Sequence, residues 1–164
     1  MKKILSTTAL VGTLFVLAAG SGMASPGNGG GNDDASGDIR LTGTMPAICE
    51  IDIDTKNTSL DMKDGAKKQV VAEITETCND HEGYTISFTS ANAGKVVHGD
   101  SGQGVAYTVS YDTSNNSSLA NAMVLTRAKE GYGVDHDLVV DMSGSSDRVA
   151  GTYRDTITVE IAAK

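Results

Sequence analysis

Apolar and polar residues alternate along most of the chain from Gly37 onward. The C-terminal stretch shows this best, since Tyr153, Ile157, Val159 and Ile161 all lie on odd-numbered positions. Shorter runs with the same period, or with a few consecutive apolar residues, begin near Ile39, Ile48, Val70, Tyr84, Val105, Met123 and Leu138. A period of two in segments rich in Val, Ile, Thr and Tyr is typical of half-buried strands. The pattern therefore predicts an all-β chain.

Polar segments rich in Gly, Asn, Asp or Ser separate these runs and predict loops. They are Asp54–Ser59, Asp64–Lys68, Ala91–Gly104, Ser114–Ser118, Lys129–Val134 and Ser143–Arg148. Only Leu119–Arg127 has a pattern that is compatible with a helical turn. Seven or eight short strands with turn signals between them predict a β-sandwich.

The first residues contain the three parts of an export signal in the expected order. Lys2 and Lys3 give a positive start, Ala9–Ala19 is an apolar run, and Gly22–Ala24 offers small residues for cleavage after Ala24. We therefore expect residues 1–24 to be a signal peptide. The apolar run is too short to span a bilayer in the mature protein, so we expect no membrane anchor.

A flexible tail and a single domain are expected after the signal. Residues 25–36 (SPGNGGGNDDAS) contain no large apolar residue that could offset the entropy of ordering. Residues 37–164 have a length typical of one domain. The chain carries a formal net charge of −8, which disfavours nucleic acid or an anionic membrane as a partner, because binding phosphates requires clustered Lys and Arg.

Two cysteines remain after the predicted cleavage, Cys49 and Cys78. Export places them in an oxidising compartment, where an even pair normally forms a disulfide. Their spacing suits neither a CxxC site nor a zinc ribbon. A bond between them would contribute roughly 3–4 kcal/mol by restricting the unfolded chain. We predict a structural disulfide.

Candidate catalytic and metal-binding patterns are scarce. His81, His98 and His136 lie in polar, loop-like contexts, and none belongs to an HxH or HExxH motif. There is no GxSxG motif, and aromatic residues make up only 4% of the chain, too few for a platform that stacks sugars or bases. We therefore expect no catalytic residue, cofactor or metal. The alternative, an exported enzyme or metalloprotein, rests only on His136 and its neighbours Asp135 and Asp137.

Three segments with the cysteines among them carry a resemblance to a known family. The first is GDIRLTGTMPAIC, from Gly37 to the first cysteine. The second is ITETCNDHEGYTISF (Ile74–Phe88), a strand that ends in the second cysteine, followed by a polar turn and another strand. The third is GTYRDTITVEI (Gly151–Ile161), and Ala106–Val109 is similar to a central strand. Together these segments resemble the spore coat protein U-like family, the subunits of archaic chaperone–usher pili.

The resemblance implies an immunoglobulin-like β-sandwich that is incomplete and lacks its last strand. A periplasmic chaperone would fill the gap first, and an outer-membrane usher would assemble the fibre. The N-terminal segment of the next identical or related subunit would then replace the chaperone by donor-strand exchange, without ATP or a cofactor. The donor-strand candidates in residues 37–45 are Ile39, Leu41, Gly43 and Met45. The acceptor-groove candidates are Ile157, Val159 and Ile161.

The function expected from this resemblance is that of a non-enzymatic structural subunit. It would pass through the periplasm and end in a pilus on the cell surface, where such fibres serve adhesion. The alternative is that residues 39–45 form an ordinary first strand of a complete sandwich. The chain would then be a monomeric secreted module for binding or adhesion, or a coat component.

Overall fold

The computed structural model describes residues 37–164, so the predicted signal peptide (1–24) and tail (25–36) lie outside the described residues. This part of the chain is all-β, as predicted, and contains no helix. Its strands are β1 (Cys49–Thr55), β2 (Gly65–Cys78), β3 (Tyr84–Ser90), β4 (Lys95–His98), β5 (Gly104–Tyr111), β6 (Ser114–Ser118), β7 (Met123–Arg127), β8 (Gly131–Ser143), β9 (Tyr153–Arg154) and β10 (Ile157–Ala163). No helix that could span a membrane therefore occurs between residues 37 and 164.

The strands form two antiparallel sheets. The larger has the order β1-β2-β8-β5-β4-β9, and β6 pairs with β5 beside this path. The smaller has the order β10-β3-β7. β1 and β10 are therefore edge strands, whereas β3 has a partner on each side.

Side chains from both sheets meet in one hydrophobic core. Alternation places them there: along β3, Tyr84, Ile86 and Phe88 are buried, and the polar residues between them are only half-buried. Along β8, every second residue from Leu138 to Met142 is buried in the same way. The core is thus built by the period of two that the sequence shows.

The predicted disulfide between Cys49 and Cys78 is confirmed. The two cysteines are cross-strand partners, with Cys49 at the start of β1 and Cys78 at the end of β2. The short turn that follows leads into β3, whose first residue, Tyr84, pairs with Ala163 at the end of β10. β1 and β3 therefore begin at the same end of the domain, where β2 and β10 finish. We call it the disulfide end.

A glycine shapes the turn at the disulfide end. Gly83 has a φ of +91°, a region that L-residues with a side chain rarely adopt. A Cβ atom there would lie 2.1 Å from the main-chain oxygen of Arg127. The turn can therefore pass close to the end of β7 only because residue 83 has no side chain.

The helical turn that the pattern of Leu119–Arg127 allows does not form, and the short apolar run that begins at Met123 is a strand. Met123–Arg127 forms β7, which pairs with β3 from Met123↔Phe88 to Arg127↔Tyr84. β3 offers main-chain hydrogen bonds on that side, and a distant partner of this kind overrides a weak local preference.

Several predicted loops contain strands, so the expected seven or eight strands become ten. β4 lies inside Ala91–Gly104, β6 occupies Ser114–Ser118, and β2 and β8 begin inside two further predicted loops. β6 contains no apolar residue at all (SNNSS) and is held by pairing with β5. Main-chain hydrogen bonds to a neighbour, rather than apolar side chains, define these strands.

The alternating segment before β1 is not part of a sheet. Residues 37–48 have no strand assignment, although Ile39, Leu41 and Met45 alternate with polar residues. Gly43–Lys164 form one compact unit, and residues 37–42 fall outside it. Apart from Ile48, whose carbonyl accepts from the Asn79 amide, the segment lacks the main-chain partner that a strand needs.

Candidate functional site

The outer edge of β10 has unpaired main-chain groups. Just beyond the strand, Thr156 accepts a hydrogen bond from the Ala91 amide (3.0 Å), and the Lys164 amide donates to Gly83 (3.2 Å). In an antiparallel pair, hydrogen-bonded and non-bonded positions alternate. The even-numbered residues of β10 therefore bond to β3. The odd-numbered ones, Ile157, Val159 and Ile161, direct their N–H and C=O groups to the open edge.

The outer edge of β1 has the same property. The Lys56 amide donates to Val71 (2.9 Å), and the Asn79 amide donates to Ile48 (3.1 Å), so the even-numbered positions of β1 bond to β2. Ile51 and Ile53 therefore point their main-chain groups away from β2. β1 and β10 are neighbours, but no ladder joins them. Two strand edges thus face one opening.

An apolar cavity of about 640 Å³ lies at this opening. One wall comes from β10, through Ile157 and Val159, and the opposite wall from β1, through Ile53. The other apolar residues around it are Leu60, Met62, Val71, Ala72, Ile74, Val96, Leu138 and Val140. The volume falls within the range of about 300–1,000 Å³ that is usual for ligand pockets. The hydrophobic core is therefore open along the line between two unpaired strands.

A polar cluster closes one end of this groove. The Asp155 carboxylate accepts hydrogen bonds from the hydroxyls of Tyr107 (2.5 Å) and Ser90 (2.6 Å) and from the amides of Asn92 (3.0 Å) and Thr156 (2.8 Å). Burial, together with the hydrogen bond to Asp155, raises the pKa of the Tyr107 hydroxyl well above its usual range. The hydroxyl therefore stays protonated as a donor, and the cluster fixes the position at which β10 begins.

The predicted acceptor-groove residues fall on one face of β10. Ile157 and Val159 line the cavity, and Ile161 is half-buried on the same face but does not line it. The predicted donor residues are exposed: Ile39 and Leu41 at 89% and Met45 at 73%. Gly43 has no atom within 4 Å of the place where a Cβ would be. The predicted acceptor residues thus share one face of β10, and the side chains of the predicted donor residues Ile39, Leu41 and Met45 are exposed to solvent.

Most residues that line the groove were not among the predicted candidates, and Leu60, Met62 and Asp155 are three of them. Leu60 and Met62 lie between β1 and β2, where no strand was expected, and they line the cavity. Their alternation with Ser59 and Asp61 was the available signal. Asp155 was placed inside a continuous alternating strand, but its side-chain bonds interrupt the chain between β9 and β10. Short-range hydrogen bonding by Asp is a known competitor of strand pairing.

A second polar cluster surrounds the buried Glu76, away from the groove. Glu76 has no exposed surface, and its carboxylate accepts from the Arg127 guanidinium (2.7 and 2.9 Å), Tyr111 (2.6 Å) and Tyr84 (2.8 Å). Arg127 also contacts Asp112 (2.5 Å). Burial alone would raise the pKa of Glu76, but the hydrogen bonds from Arg127 and the two tyrosines lower it overall. The cluster therefore holds Glu76 and Arg127 as an ionised pair.

The three histidines do not assemble a metal site. Across residues 37–164, no group of three His, Cys, Asp or Glu side chains is placed to hold a metal ion. His136 faces Asp112 at 3.8 Å, whereas its chain neighbours Asp135 and Asp137 lie on the opposite face of the strand. His98 is buried and accepts from the amides of Asp100 and Ser101 through Nδ1. These contacts are structural.

No family model and no curated protein matches the chain. The features that bear on function are the groove, the segment that precedes β1, and the resemblance of the three sequence segments.

Proposed function

We propose that this chain is a structural, non-enzymatic subunit of a bacterial surface pilus. In this proposal the domain is an immunoglobulin-like β-sandwich that lacks one strand, and the N-terminal segment of another copy completes it. The observation that carries the proposal is the open groove between the unpaired edges of β1 and β10. An exposed apolar edge is an aggregation hazard unless another strand pairs with it.

The groove has the chemistry of a site for an added strand. Strand addition needs free main-chain groups for hydrogen bonds and pockets for every second side chain. The edge groups of Ile157, Val159 and Ile161 supply the first requirement, and the apolar cavity beside them supplies the second. A rigid small ligand would use the cavity but would leave the two strand edges unpaired.

The segment at residues 37–45 has the chemistry of the occupant. Its apolar side chains recur at every second position, so in an extended conformation Ile39, Leu41 and Met45 point to one side. From Ile39 to Met45 an extended chain covers roughly 20 Å. Gly43 adds no side chain to this row, which suits a place where the groove is narrow. The segment is exposed and therefore available.

Exchange of this segment between copies would build a fibre. The donor segment and the groove are different surfaces, so each copy gives to one neighbour and accepts from another. Head-to-tail contacts of this kind produce open filaments when the rotation does not close. The proposal includes a periplasmic chaperone that covers the groove before assembly, and an outer-membrane usher. It involves no cofactor.

The test uses amide hydrogen exchange in the full chain with its own donor disabled. Ile39→Asp and Leu41→Asp change two residues that are 89% exposed, so the domain should fold as before. A synthetic peptide covering Gly37–Met45 is then added. The amides of Ile157, Val159 and Ile161 should change from fast to slow exchange, and thermal stability should rise.

The neighbouring amides on β10 serve as an internal control. Those of Thr158 and Glu160 already bond to β3 and should be protected with or without peptide. A peptide with Leu41 replaced by Asp should protect much less. If the native peptide leaves the odd-numbered amides unchanged, the proposal is wrong.

A monomeric secreted binding module is the second candidate. The observation that favours it is the pocket-like volume with a polar end at Asp155. In that case the donor-disabled chain should be a stable monomer, and the hydrogen exchange of the Ile157, Val159 and Ile161 amides should not change when the peptide is added. Co-expression with a chaperone and usher should give no denaturant-resistant ladder of polymers.

A further inference from the structure

Asn79 holds the residues that lead into β1. Its side-chain oxygen accepts from the Ile48 amide (2.7 Å), and its side-chain nitrogen donates to the Pro46 carbonyl (3.1 Å). Its own amide donates to the Ile48 carbonyl (3.1 Å). Three hydrogen bonds from one residue therefore continue the β1–β2 alignment beyond Cys49 to Pro46.

Residues 46–48 lead directly into β1, whose open edge faces the groove. β1 begins at the disulfide end, so its open edge starts where residues 46–48 enter the domain and leads toward the cavity, which lies at Ile53, Ile157 and Val159. A chain that reversed direction at this point would run along the open edge of β1 as a β-hairpin, parallel to β10. Hairpin loops of two to five residues are common, and Pro46, Ala47 and Ile48 would be enough for one.

The hydrogen bonds of Asn79 oppose this reversal. A turn through residues 46–48 would break the bond to Pro46, because that carbonyl would rotate away from β2. Met45 favours an extended conformation, since the helical region is disfavoured for the residue before a proline, and this opposes a turn placed earlier in the chain. A turn at residues 43–45 would take Met45 and Gly43 out of the strand that fills the groove. Only Ile39 and Leu41 would then remain for the groove.

We propose that Asn79 is a positioning residue that keeps the donor segment out of its own groove, so that the groove receives the segment of a second copy. This inference rests on the proposed function, because it assumes that residues 37–45 fill such a groove. Its consequence is that the chain avoids capping itself, which would leave a monomer with no site for a neighbour.

The test compares Asn79→Ala with the unchanged full chain. Dilute protein is titrated with labelled Gly37–Met45 peptide, and edge-amide exchange is measured at several concentrations. Two lost hydrogen bonds of ordinary net strength should shift the balance toward self-capping by about tenfold. The variant should therefore bind the peptide more weakly, by at most about tenfold, and its edge amides should gain protection that does not depend on concentration.

Two further variants separate positioning from general damage. Asn79→Asp keeps the acceptor for Ile48 but loses the donor to Pro46, so its peptide affinity should be intermediate. Asn115→Ala removes an exposed Asn side chain from β6, whose bond is to the Thr113 carbonyl, and should bind the peptide normally.

The failure of this inference differs from the failure of the proposed function. If both Asn79 variants bind the peptide as tightly as the unchanged chain, the positioning role is overturned and the groove still accepts a donor. If no version of the chain binds the peptide, the donor-strand proposal itself falls.

Discussion

Adjacent strands of the smaller sheet differ sharply in burial although their sequences are similar. Ile86 and Phe88 on β3 have no exposed surface. Their direct cross-strand partners on β10, Ile161 and Val159, point to the same face and are only half-buried. Residues of similar apolar character are therefore buried to different extents on β3 and β10, because β3 has a neighbouring strand on both sides and β10 on only one.

The buried Glu76 cluster shows that this openness is local. There, a carboxylate, a guanidinium and two phenols satisfy one another without exposed surface on Glu76. No buried side-chain nitrogen or oxygen in the described part of the chain lacks a hydrogen-bond partner. The groove is thus a defined gap in an otherwise satisfied interior, and the following predictions separate the two regions.

The largest effect is expected from Arg127→Met. Removing the cation leaves the buried Glu76 carboxylate without its charge partner, which typically costs about 3–5 kcal/mol. Adding Glu76→Gln should recover part of this loss, since no buried charge then remains. Denaturant unfolding of the single and double variants measures both values. A cost below about 1 kcal/mol for the single variant would mean that water already reaches Glu76.

The next largest loss of stability is expected when the same substitution is made at two residues that are cross-strand partners, Ile86 and Ile161. Ile86→Ala should cost about 2–5 kcal/mol, as is usual for a fully buried isoleucine. Ile161→Ala, directly opposite, should cost less than half as much, because solvent already reaches its side chain. Thermal or denaturant unfolding of both variants checks the ratio. Equal costs would show that the edge of β10 is covered in solution.

Alternation in the sequence was enough to predict much of the fold. β1, β3, β5 and β10 follow from it, and export chemistry predicts the bond between Cys49 and Cys78. β6 could not be predicted, because its five polar residues are held only by main-chain bonds to β5. A single sequence does not show that β5 is the partner of β6, since this pairing depends on the arrangement of all the strands.

The site was predictable in part for the same reason. Ile157 and Val159 were predicted from alternation and resemblance, and they do line the cavity. Leu60 belongs to the groove only because the connection between β1 and β2 folds over it. The three bonds of Asn79 depend on the turn after Cys78, and nothing in the local sequence distinguishes this asparagine from the others.

A smaller effect is expected on acidification. The pKa of Glu76 is lowered in the folded state, chiefly by Arg127 and the two tyrosines acting against burial. A lowered pKa means that the stabilisation is present above the unfolded value, about 4.3 for Glu, and is lost as the pH falls through the folded value. Glu76→Gln should therefore have a shallower loss of stability in acid, measured by denaturant midpoints. If the stability of Glu76→Gln falls as steeply with pH as that of the unchanged chain, other carboxylates are responsible for the acid sensitivity.

The smallest effect is expected on the exposed face of the larger sheet. Asp54, Glu73 and Asp137 are direct partners across β1, β2 and β8, and Lys56 contacts Asp54 at 2.5 Å and Glu73 only at 3.8 Å. Like charges that face each other across strands are unfavourable by roughly 0.2–1 kcal/mol. Glu73→Thr should therefore stabilise the domain slightly, and the gain should shrink in high salt.

The matched control for this change is Glu160→Thr on β10. Glu160 is exposed, but its cross-strand partner is Ser87 rather than a carboxylate, so the same substitution should give no salt-dependent gain. Thermal unfolding at low and high salt measures both variants. Because the acidic row lies on the outer face, filling the groove with peptide should leave the gain from Glu73→Thr unchanged. A gain that vanished with peptide would mean that the outer face and the groove are coupled.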